Sequence, residues 1–317
     1  MDKYVKDLEY YNTKIKYSSK YTCDLSFQDT FVNVDDIYVI GDIHGDLSVL
    51  IKTLKKCNLI NKSMNWIGNK AHLVQLGDIL DGKIRNNILS DQEFNSIIAL
   101  EEYAILEFLN DLDQQARKIG GRVHYLIGNH ELMNVLGEFD YVLDKHMSYL
   151  GEGTRRILFQ PGGYMSNMLA CHSYSILKIN DWIFCHGGLL PQHIENNSIT
   201  DINILVRDLL LKKKTFSELS QKEKGIIFGD TSIFWTRYYK FNINKCNSLN
   251  NVLEIINSDC NKGGLILGHT PHINITTDCN DKLYFADVGL SRSFDNKQFK
   301  NLEVLYISKN SKPKIIS

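Results

Sequence analysis

Short apolar segments of strand length recur along the chain, and five of them end in a small residue followed by a carboxylate, an amide or an imidazole. The first segment, residues 37–40, is followed by Gly41, Asp42 and His44. Because side chains two positions apart in an extended chain point to the same side, Asp42 and His44 can face one point in space. Taken alone, such a pair is more often a turn aspartate and a buried, hydrogen-bonded histidine.

The same arrangement recurs in four further segments. They end at Gly77-Asp78, Gly128-Asn129-His130-Glu131, Cys185-His186-Gly187-Gly188 and Gly268-His269. Ligands in open α/β sheets collect outside the carboxyl ends of the strands. The sequence therefore predicts that five strands deliver six candidate metal ligands to one edge of a single sheet: Asp42, His44, Asp78, Asn129, His186 and His269.

Between the strand at residues 37–40 and the next strand, the apolar residues Leu47, Leu50, Ile51 and Leu54 recur at helical spacing. Asp46 stands at the N-cap position of the helix that follows the first strand. The strand at residues 71–77 then completes a βαβ unit, which is expected to be parallel and right-handed. A long helix is predicted from Asp91 to about Ile119, and Gly120 ends it.

The rest of the chain predicts a second group of elements. Residues 137–163 are irregular and contain several glycines, and a connection of this length is predicted to be a functional lid or cap. The other elements are a short helix from Glu131, a hairpin of residues 175–179 and 182–185, helices at 202–212, 216–227 and 252–256, and closing strands at 283–288 and 302–307. Residues 1–34 lack periodicity and are predicted to form an N-terminal arm on one domain that spans residues 35–317.

The composition is that of an ordinary globular protein, with 317 residues of which 43% are hydrophobic and 23% charged. A net charge of -1 gives no reason to expect a nucleic-acid partner. The charged N-terminus and the lack of an apolar run of about 18 residues predict a cytoplasmic protein without a signal peptide or a membrane partner. The seven cysteines are scattered without Cys-x-x-Cys spacing, which predicts reduced thiols rather than disulfides or a structural zinc site.

Six ligands of mixed oxygen and nitrogen type are too many for one open catalytic site and suit two metals that share a carboxylate. Two metals roughly 3.5 to 4 Å apart can stabilise the attacking and leaving oxygens of an in-line displacement at phosphorus, and can activate a water as the nucleophile. The leaving oxygen then needs a proton, which His130 is placed to give, and Asp81 could hold that imidazole in its donor form. Imidazole and carboxylate ligands suit manganese, iron or zinc, and we expect manganese in vitro.

Five motifs stand in order along the chain: Gly41-Asp42-Ile43-His44-Gly45, Gly77-Asp78-Ile79-Leu80-Asp81-Gly82, Gly128-Asn129-His130-Glu131, His186-Gly187-Gly188 and Gly268-His269. Together they resemble the motif set of the calcineurin-like metallophosphoesterases, specifically the phosphoprotein phosphatase family. The resemblance covers residues 37–291. Five further segments resemble the Shewanella-like branch of that family: His130-Glu131-Leu132-Met133-Asn134, Phe159-Gln160-Pro161-Gly162-Gly163, Leu189-Leu190-Pro191, Phe234-Trp235-Thr236-Arg237-Tyr238 and Asp287-Val288-Gly289-Leu290-Ser291.

The resemblance implies an α/β (α+β) fold, in which a central β-sandwich is flanked by helices and carries a cap or lid insertion, with a catalytic domain over residues 35–317. It implies a first metal held by Asp42, His44 and Asp78, and a second held by Asp78, Asn129, His186 and His269, with Asp78 bridging. It also implies that His130 and Asp81 form the proton-donor pair and that Arg237 binds phosphate.

The chain departs from the family pattern at one position. The family usually has an arginine directly after the second aspartate of Gly-Asp-x-x-Asp, whereas here Asp81 is followed by Gly82 and Lys83. A guanidinium offers phosphate a bidentate fork that lysine cannot copy. The phosphate clamp is therefore expected to be completed by one of four other residues: Lys83, Arg85, Arg155 or Arg156.

The function predicted from this resemblance is a metal-dependent phosphoprotein phosphatase that acts on phosphorylated Ser or Thr, with Tyr as a further class. Its partner would be a phosphorylated protein or peptide, whereas regulatory subunits cannot be deduced from the sequence. Two alternatives stay open. One is a hydrolase of diadenosine polyphosphates or other small phosphoesters, and the other is a weakly active pseudo-phosphatase that binds phosphopeptides, as the missing arginine after Asp81 would suggest.

Overall fold

The computed structural model describes residues 9–10, 13, 23, 27–84, 101–259, 261–294, 302–309 and 311–317. Its strands are β1 (Thr30–Phe31), β2 (Asp36–Ile40), β3 (His72–Gln75), β4 (Arg122–Leu126), β5 (Ser173–Tyr174), β6 (Ile176–Ile179), β7 (Trp182–Cys185), β8 (Gly264–Leu267), β9 (Thr276–Asp278), β10 (Leu283–Phe285), β11 (Val304–Ser308) and β12 (Lys314–Ile316). Its helices are α1 (Leu47–Lys56), α2 (Glu101–Arg117), α3 (Asn129–Leu136), α4 (Asp144–Leu150), α5 (Glu152–Phe159), α6 (Tyr164–His172), α7 (Pro191–Ile194), α8 (Ile199–Leu210), α9 (Gln221–Ile227), α10 (Tyr238–Phe241) and α11 (Lys245–Ile255), with a 3₁₀ turn at Phe216–Glu218.

The strands form two mixed sheets of six strands each. One sheet has the order β12-β11-β2-β3-β4-β5, and β2 to β5 run parallel within it. The other has the order β1-β6-β7-β8-β10-β9, in which β7, β8 and β10 run parallel. The predicted βαβ unit is confirmed by β2, α1 and β3, and the predicted hairpin is confirmed by the antiparallel pair β6 and β7.

Both sheets bury side chains in one hydrophobic core, and helices cover the outside. Every position of β3 and of β8 is buried, as expected for central strands that are covered on both faces. Helix α2 packs on β4, whereas α8 packs on β6 and α11 on β8. This confirms the β-sandwich flanked by helices. The expectation of a single sheet is wrong, because after β5 the chain turns into the β6–β7 hairpin and builds a second sheet.

The helices follow the apolar pattern where they are long and depart from it where they are short. Asp46 caps α1 as predicted, and its Oδ1 accepts a hydrogen bond from the backbone N–H of Val49 at 3.0 Å. Helix α2 confirms the second half of the predicted long helix, whereas residues 91–100 lie outside the described residues. Residues 137–163, predicted to be irregular, contain α4 and α5. These helices have seven and eight residues, which is too short for their periodicity to show.

Of the six cysteines among the described residues, four are joined in two disulfides, Cys23–Cys171 and Cys246–Cys279. Cys57 and Cys185 are free and buried. The prediction of reduced thiols is therefore wrong for four residues, because the fold brings together cysteines that are 148 and 33 positions apart in the sequence. Within the described ranges, no helix is both long and apolar enough to span a membrane.

Two buried histidines on neighbouring strands are held uncharged. The ring nitrogens His124 Nε2 and His72 Nδ1 are 3.1 Å apart, and both rings pack against Phe31. Burial and the nearby charge of Arg122 lower the pKa of His72 to about 4 and lower the pKa of His124 well below its usual value. Each histidine therefore binds a proton more readily in the unfolded chain than in the folded protein.

This pair makes stability sensitive to acid. Above pH 6.5, the ordinary histidine pKa, neither state binds the proton, but below it only the unfolded chain does, so the free energy of unfolding falls until the pH nears 4. Each histidine contributes up to about 1.4 kcal/mol per pH unit in this window. In urea unfolding at pH 7.5 and pH 5, we expect the double variant His72→Leu, His124→Leu to lose less stability than the unsubstituted protein. An identical loss in both proteins would contradict this account.

Candidate functional site

The candidate site lies where the two sheets meet, at turns that directly follow parallel strands. Asp42 and His44 follow β2, Asp78 and Asp81 follow β3, and Asn129 and His130 begin α3 after β4; from the other sheet, His186 follows β7 and His269 follows β8. Backbone hydrogen bonds tie neighbouring turns together, as from Leu76 N–H to Ile40 O (3.1 Å) and from Gly268 N–H to His186 O (3.0 Å). Both sheets therefore contribute side chains to one site.

Several of these turns hold residues in the left-handed backbone region. The φ angles are 43° at His44, 52° at Asp78, 67° at Asp81 and 63° at His269. Asp and His tolerate this conformation better than most residues, but each instance still costs on the order of 1 kcal/mol. Packing is equally tight, since a Cβ at Gly128 would lie 2.1 Å from Oδ1 of Asp78. Packing of the neighbouring residues therefore holds these turns in their backbone conformation.

One nitrogen of each of three histidine rings faces a backbone carbonyl. Nδ1 of His44 lies 3.2 Å from Leu80 O, Nδ1 of His186 lies 2.8 Å from Leu76 O, and Nε2 of His269 lies 3.0 Å from Trp235 O. A carbonyl oxygen can only accept a hydrogen bond, so the facing nitrogen carries the proton. The other nitrogen of each ring is then the one that could bind a metal, as in metal-binding histidines of proteins.

Asp78 is the centre of the site. Its Oδ2 lies 3.3 Å from Nε2 of His186 and 3.9 Å from Nε2 of both His44 and His130. Two groups of potential ligand atoms, each within 4.8 Å of one another, share this residue: His44, Asp78 and His130 form one, and Asp78, His186 and His269 form the other. Asp78 therefore has the position expected of a residue that bridges two metals.

The two remaining predicted ligands border these groups. Oδ1 of Asn129 lies 3.0 Å from Nε2 of His186, and the carboxylate of Asp42 accepts a hydrogen bond from the backbone N–H of His269 at 3.1 Å. The structure thus brings all six predicted ligands together. It also gives His130, predicted as a proton donor, a closer place in the first group than Asp42 has.

Buried carboxylates give the site an excess of negative charge. Burial, followed by repulsion from Asp287 and Asp78, raises the pKa of Asp42, and burial with the charge of Asp78 raises the pKa of Asp287 to about 6. Burial also works to raise the pKa of Asp78, but the nearby His186 and His130 bring it well below its usual value. Cations would relieve this repulsion. The nitrogen and oxygen donors therefore fit two divalent metals such as manganese, iron or zinc.

His130 is fixed in one orientation beside Asp78. Its Nδ1 donates to Oδ2 of Asp81 at 2.8 Å, which leaves Nε2 facing the site. The ring meets His44 and Tyr141 edge to face, with ring centroids 4.9 and 5.1 Å apart. The predicted pair of His130 and Asp81 is therefore in direct contact.

The predicted phosphate-binding residues occupy very different positions. Arg237 is exposed beside the site, and its Nη2 donates to His269 O at 3.4 Å. Lys83 is also exposed, and its Nζ donates to Asp140 O at 2.7 Å. Arg156 lies on the surface and pairs with Glu152 at 2.9 Å. Arg85 lies outside the described residues.

Arg155 does not reach the solvent-facing side of the site. Its side chain is 1% exposed, and its guanidinium donates to Asp81, Glu102 and Tyr103. This geometry does not support the predicted contact between Arg155 and phosphate, because its nitrogens are buried and already engaged.

Sequence reasoning missed two buried acidic residues. Glu131, considered only as the start of a helix, accepts hydrogen bonds from the backbone N–H groups of Asp78, Ile79, Leu80 and Gly128 at 2.7 to 3.0 Å. Asp287 lies against Asp42 after β10. The signal that identified the candidate ligands, a polar residue just after an apolar strand, could also have identified Asp287.

The chain is similar to known proteins over most of its length. Residues 36–272 match the model of the calcineurin-like phosphoesterase family. The chain is 29% identical over 284 residues to Shewanella-like protein phosphatase 1 of Plasmodium berghei (strain Anka), covering 84% of this chain and 71% of that protein. It is 28% identical over 312 residues to Shewanella-like protein phosphatase 2 of Arabidopsis thaliana, covering 84% and 74%.

The fold also matches a solved structure of a cold-active protein tyrosine phosphatase. The TM-score is 0.73 at 25% sequence identity, and the match covers 91% of this chain and 80% of the other. The fold is therefore similar to that of a known phosphatase.

The ligand assignments can be separated by counting bound metal. After equilibration with Mn²⁺ and removal of excess metal, we expect about two ions per chain by elemental analysis. Asp78→Asn should lose both because it is shared, whereas Asp42→Asn should lose about one and His130→Asn none. The exposed Asp230→Asn serves as a matched control that keeps both ions. Loss of an ion from His130→Asn but not from Asp42→Asn would make His130 the ligand.

Proposed function

The chain belongs to the calcineurin-like phosphoesterase family, and on this premise we propose that it is a metal-dependent phosphoprotein phosphatase that hydrolyses phosphomonoesters on Ser or Thr, and as a further class on Tyr. The observation that carries the proposal is that Asp78 is shared by two groups of potential ligand atoms, one that includes His44 and His130 and one that includes His186 and His269. Relatives named as protein phosphatases support a phosphoprotein as the substrate.

Two metals are proposed at the shared site. The first would be held by Asp42, His44 and Asp78, and the second by Asp78, Asn129, His186 and His269. When bound, the metals would polarise the phosphoryl oxygens and supply an activated water. The direction of the hydrogen bonds supports this assignment, since the carbonyl groups of Leu80, Leu76 and Trp235 orient the three histidine rings.

His130 is proposed to protonate the leaving group. Hydrolysis breaks the bond between phosphorus and the ester oxygen, and that oxygen must gain a proton to leave as an alcohol. Nε2 of the protonated imidazole would donate this proton, while Asp81 accepts the hydrogen bond from Nδ1 and stabilises the positive ring. No covalent bond between the chain and phosphate is required in this scheme.

Arg237 is proposed to hold the phosphate. It precedes α10, is exposed, and lies next to the backbone of His269, so its guanidinium would be available to donate N–H groups to a phosphate bound at the site. The charge of Arg237 also contributes to lowering the pKa of His269 to about 3, after the larger effects of burial and His186. Lys83 is the second exposed cation proposed for this role.

A phosphopeptide-binding protein with little activity is a second candidate. It is favoured by Gly82, where a Cβ would lie 2.9 Å from His44 O, so that an arginine would need the backbone to shift. Since Arg155 is buried and Arg156 is paired on the surface, neither supplies the missing guanidinium. The two candidates differ in turnover rather than in metal content.

Turnover on defined substrates tests the proposed function. We expect Mn²⁺-dependent release of phosphate from matched phosphoserine, phosphothreonine and phosphotyrosine peptides, and its loss on chelation, because the substrate would bind to the metals. A dinucleoside polyphosphate in the same assay tests the small-molecule alternative. Phosphopeptide binding without turnover would favour the binder, and faster hydrolysis of the dinucleotide would favour the small-molecule hydrolase.

The role of Arg237 can be measured through KM. Replacing it with alanine should raise KM for a phosphopeptide by about 10-fold or more, because a charge-assisted contact to phosphate is lost. Arg237→Lys should recover part of the loss, since it keeps the charge but not the fork. Arg117→Ala, which removes an exposed arginine on α2, is the matched control and should behave like the unsubstituted protein. An unchanged KM in Arg237→Ala would remove this residue from the phosphate site.

A further inference from the structure

Arg155 is a charged residue in the core, directly behind the candidate site. It comes from α5, and its side chain is 1% exposed. Its Nη2 donates to Oδ1 of Asp81 at 3.2 Å, and its Nη1 donates to Glu102 and to the hydroxyl of Tyr103. A buried guanidinium is costly unless its N–H groups find partners, so these contacts define its position closely.

Two partners of Arg155, Asn134 and Glu102, also bind Asp81. Nδ2 of Asn134 donates to Oδ1 of Asp81 at 2.8 Å, while Nε of Arg155 donates to Oδ1 of Asn134 at 2.7 Å. Oε2 of Glu102 accepts the backbone N–H of Asp81 at 3.0 Å. Arg155 therefore contacts Asp81 directly. It also contacts Asn134, which binds the side chain of Asp81, and Glu102, which binds the backbone of Asp81.

The two oxygens of Asp81 have separate partners. Oδ1 accepts from Arg155 and Asn134, whereas Oδ2 accepts from Nδ1 of His130. With Oδ1 fixed, the carboxylate cannot rotate without breaking two buried hydrogen bonds. We propose that Arg155 is a positioning residue: through Asp81 it holds His130 in the orientation from which Nε2 protonates the leaving oxygen.

This proposal rests on the proposed function and adds to it a residue from outside the strand-end motifs. Arg155 also balances the charge of the network. Burial works to raise the pKa of Glu102, but the attraction of Arg155 and of His146 brings it below its usual value. Without Arg155, Glu102 and Asp81 would be two carboxylates in one buried space, and the hydrogen bond to His130 would lose its fixed geometry.

A purely structural ion pair would look similar, so the test must depend on proton donation. Phosphoserine needs a proton on its leaving oxygen, whereas p-nitrophenyl phosphate has a good leaving group that needs little help. Arg155→Met should lower kcat on a phosphoserine peptide by about 10- to 100-fold, as for other residues that orient a reacting group. On p-nitrophenyl phosphate the loss should stay within about threefold. Arg155→Lys should lie between Arg155→Met and the unsubstituted enzyme on phosphoserine.

Two controls accompany this comparison. Arg117→Met removes an exposed arginine from α2 and should leave both rates unchanged. Arg155→Met combined with Glu102→Gln removes both charges of the buried pair, so it keeps the test possible if the single variant does not fold. An equal loss on both substrates at unchanged metal content, or no loss at all, would overturn the proposal.

A measurement without substrate separates this proposal from the proposed function. In protein labelled with ¹⁵N-histidine, the Nδ1 proton of His130 should give a slowly exchanging NMR signal that Arg155→Lys retains and Arg155→Met loses. If the signal is unchanged in Arg155→Met, Arg155 does not position His130. If the unsubstituted protein hydrolyses neither phosphate ester, the proposed function fails, and the NMR signal alone decides whether Arg155 orients this ring.

Discussion

The arrangement of the site depends on one buried carboxylate, that of Glu131. It accepts four backbone N–H groups from the turn after β3 and the start of α3, and these donors would otherwise be unpaired in the core. Burial and the charge of Asp78 raise the pKa of Glu131 to about 7, although the N–H groups oppose this shift. Asp78 lies in this turn with a positive φ, and its side chain faces histidines from both sheets. By fixing the turn, Glu131 therefore fixes the position of Asp78 relative to those histidines.

Much of the site could be predicted from sequence because its residues follow one local rule. An apolar strand, a small residue and a polar side chain identify Asp42, Asp78 and His269 without any knowledge of tertiary structure. The residues that surround and orient these side chains follow no such rule. Arg155 lies 74 positions after Asp81, on a helix where a charged residue is normally expected at the surface, so only the folded chain reveals their contact.

The fold was predictable in its elements but less so in their assembly. Periodicity identified β2, β3, β4 and the β6–β7 hairpin, because those segments are apolar and bounded by clear turns. It could not assign strands to two sheets, since a buried strand has the same pattern in either. The sandwich was implied by the family resemblance alone. The short helices α4 and α5 and both disulfides depend on tertiary contacts that periodicity does not record.

The proposed ligands come from both sheets, so metal bound at this site would link metal binding to folding. A metal held by Asp78 from one sheet and by His186 and His269 from the other would cross-link the two halves of the sandwich. Whatever binds only the folded state stabilises it in proportion to its affinity and concentration. Loss of metal would then loosen the sandwich as well as stop the proposed reaction, because the same proposed ligands would serve both.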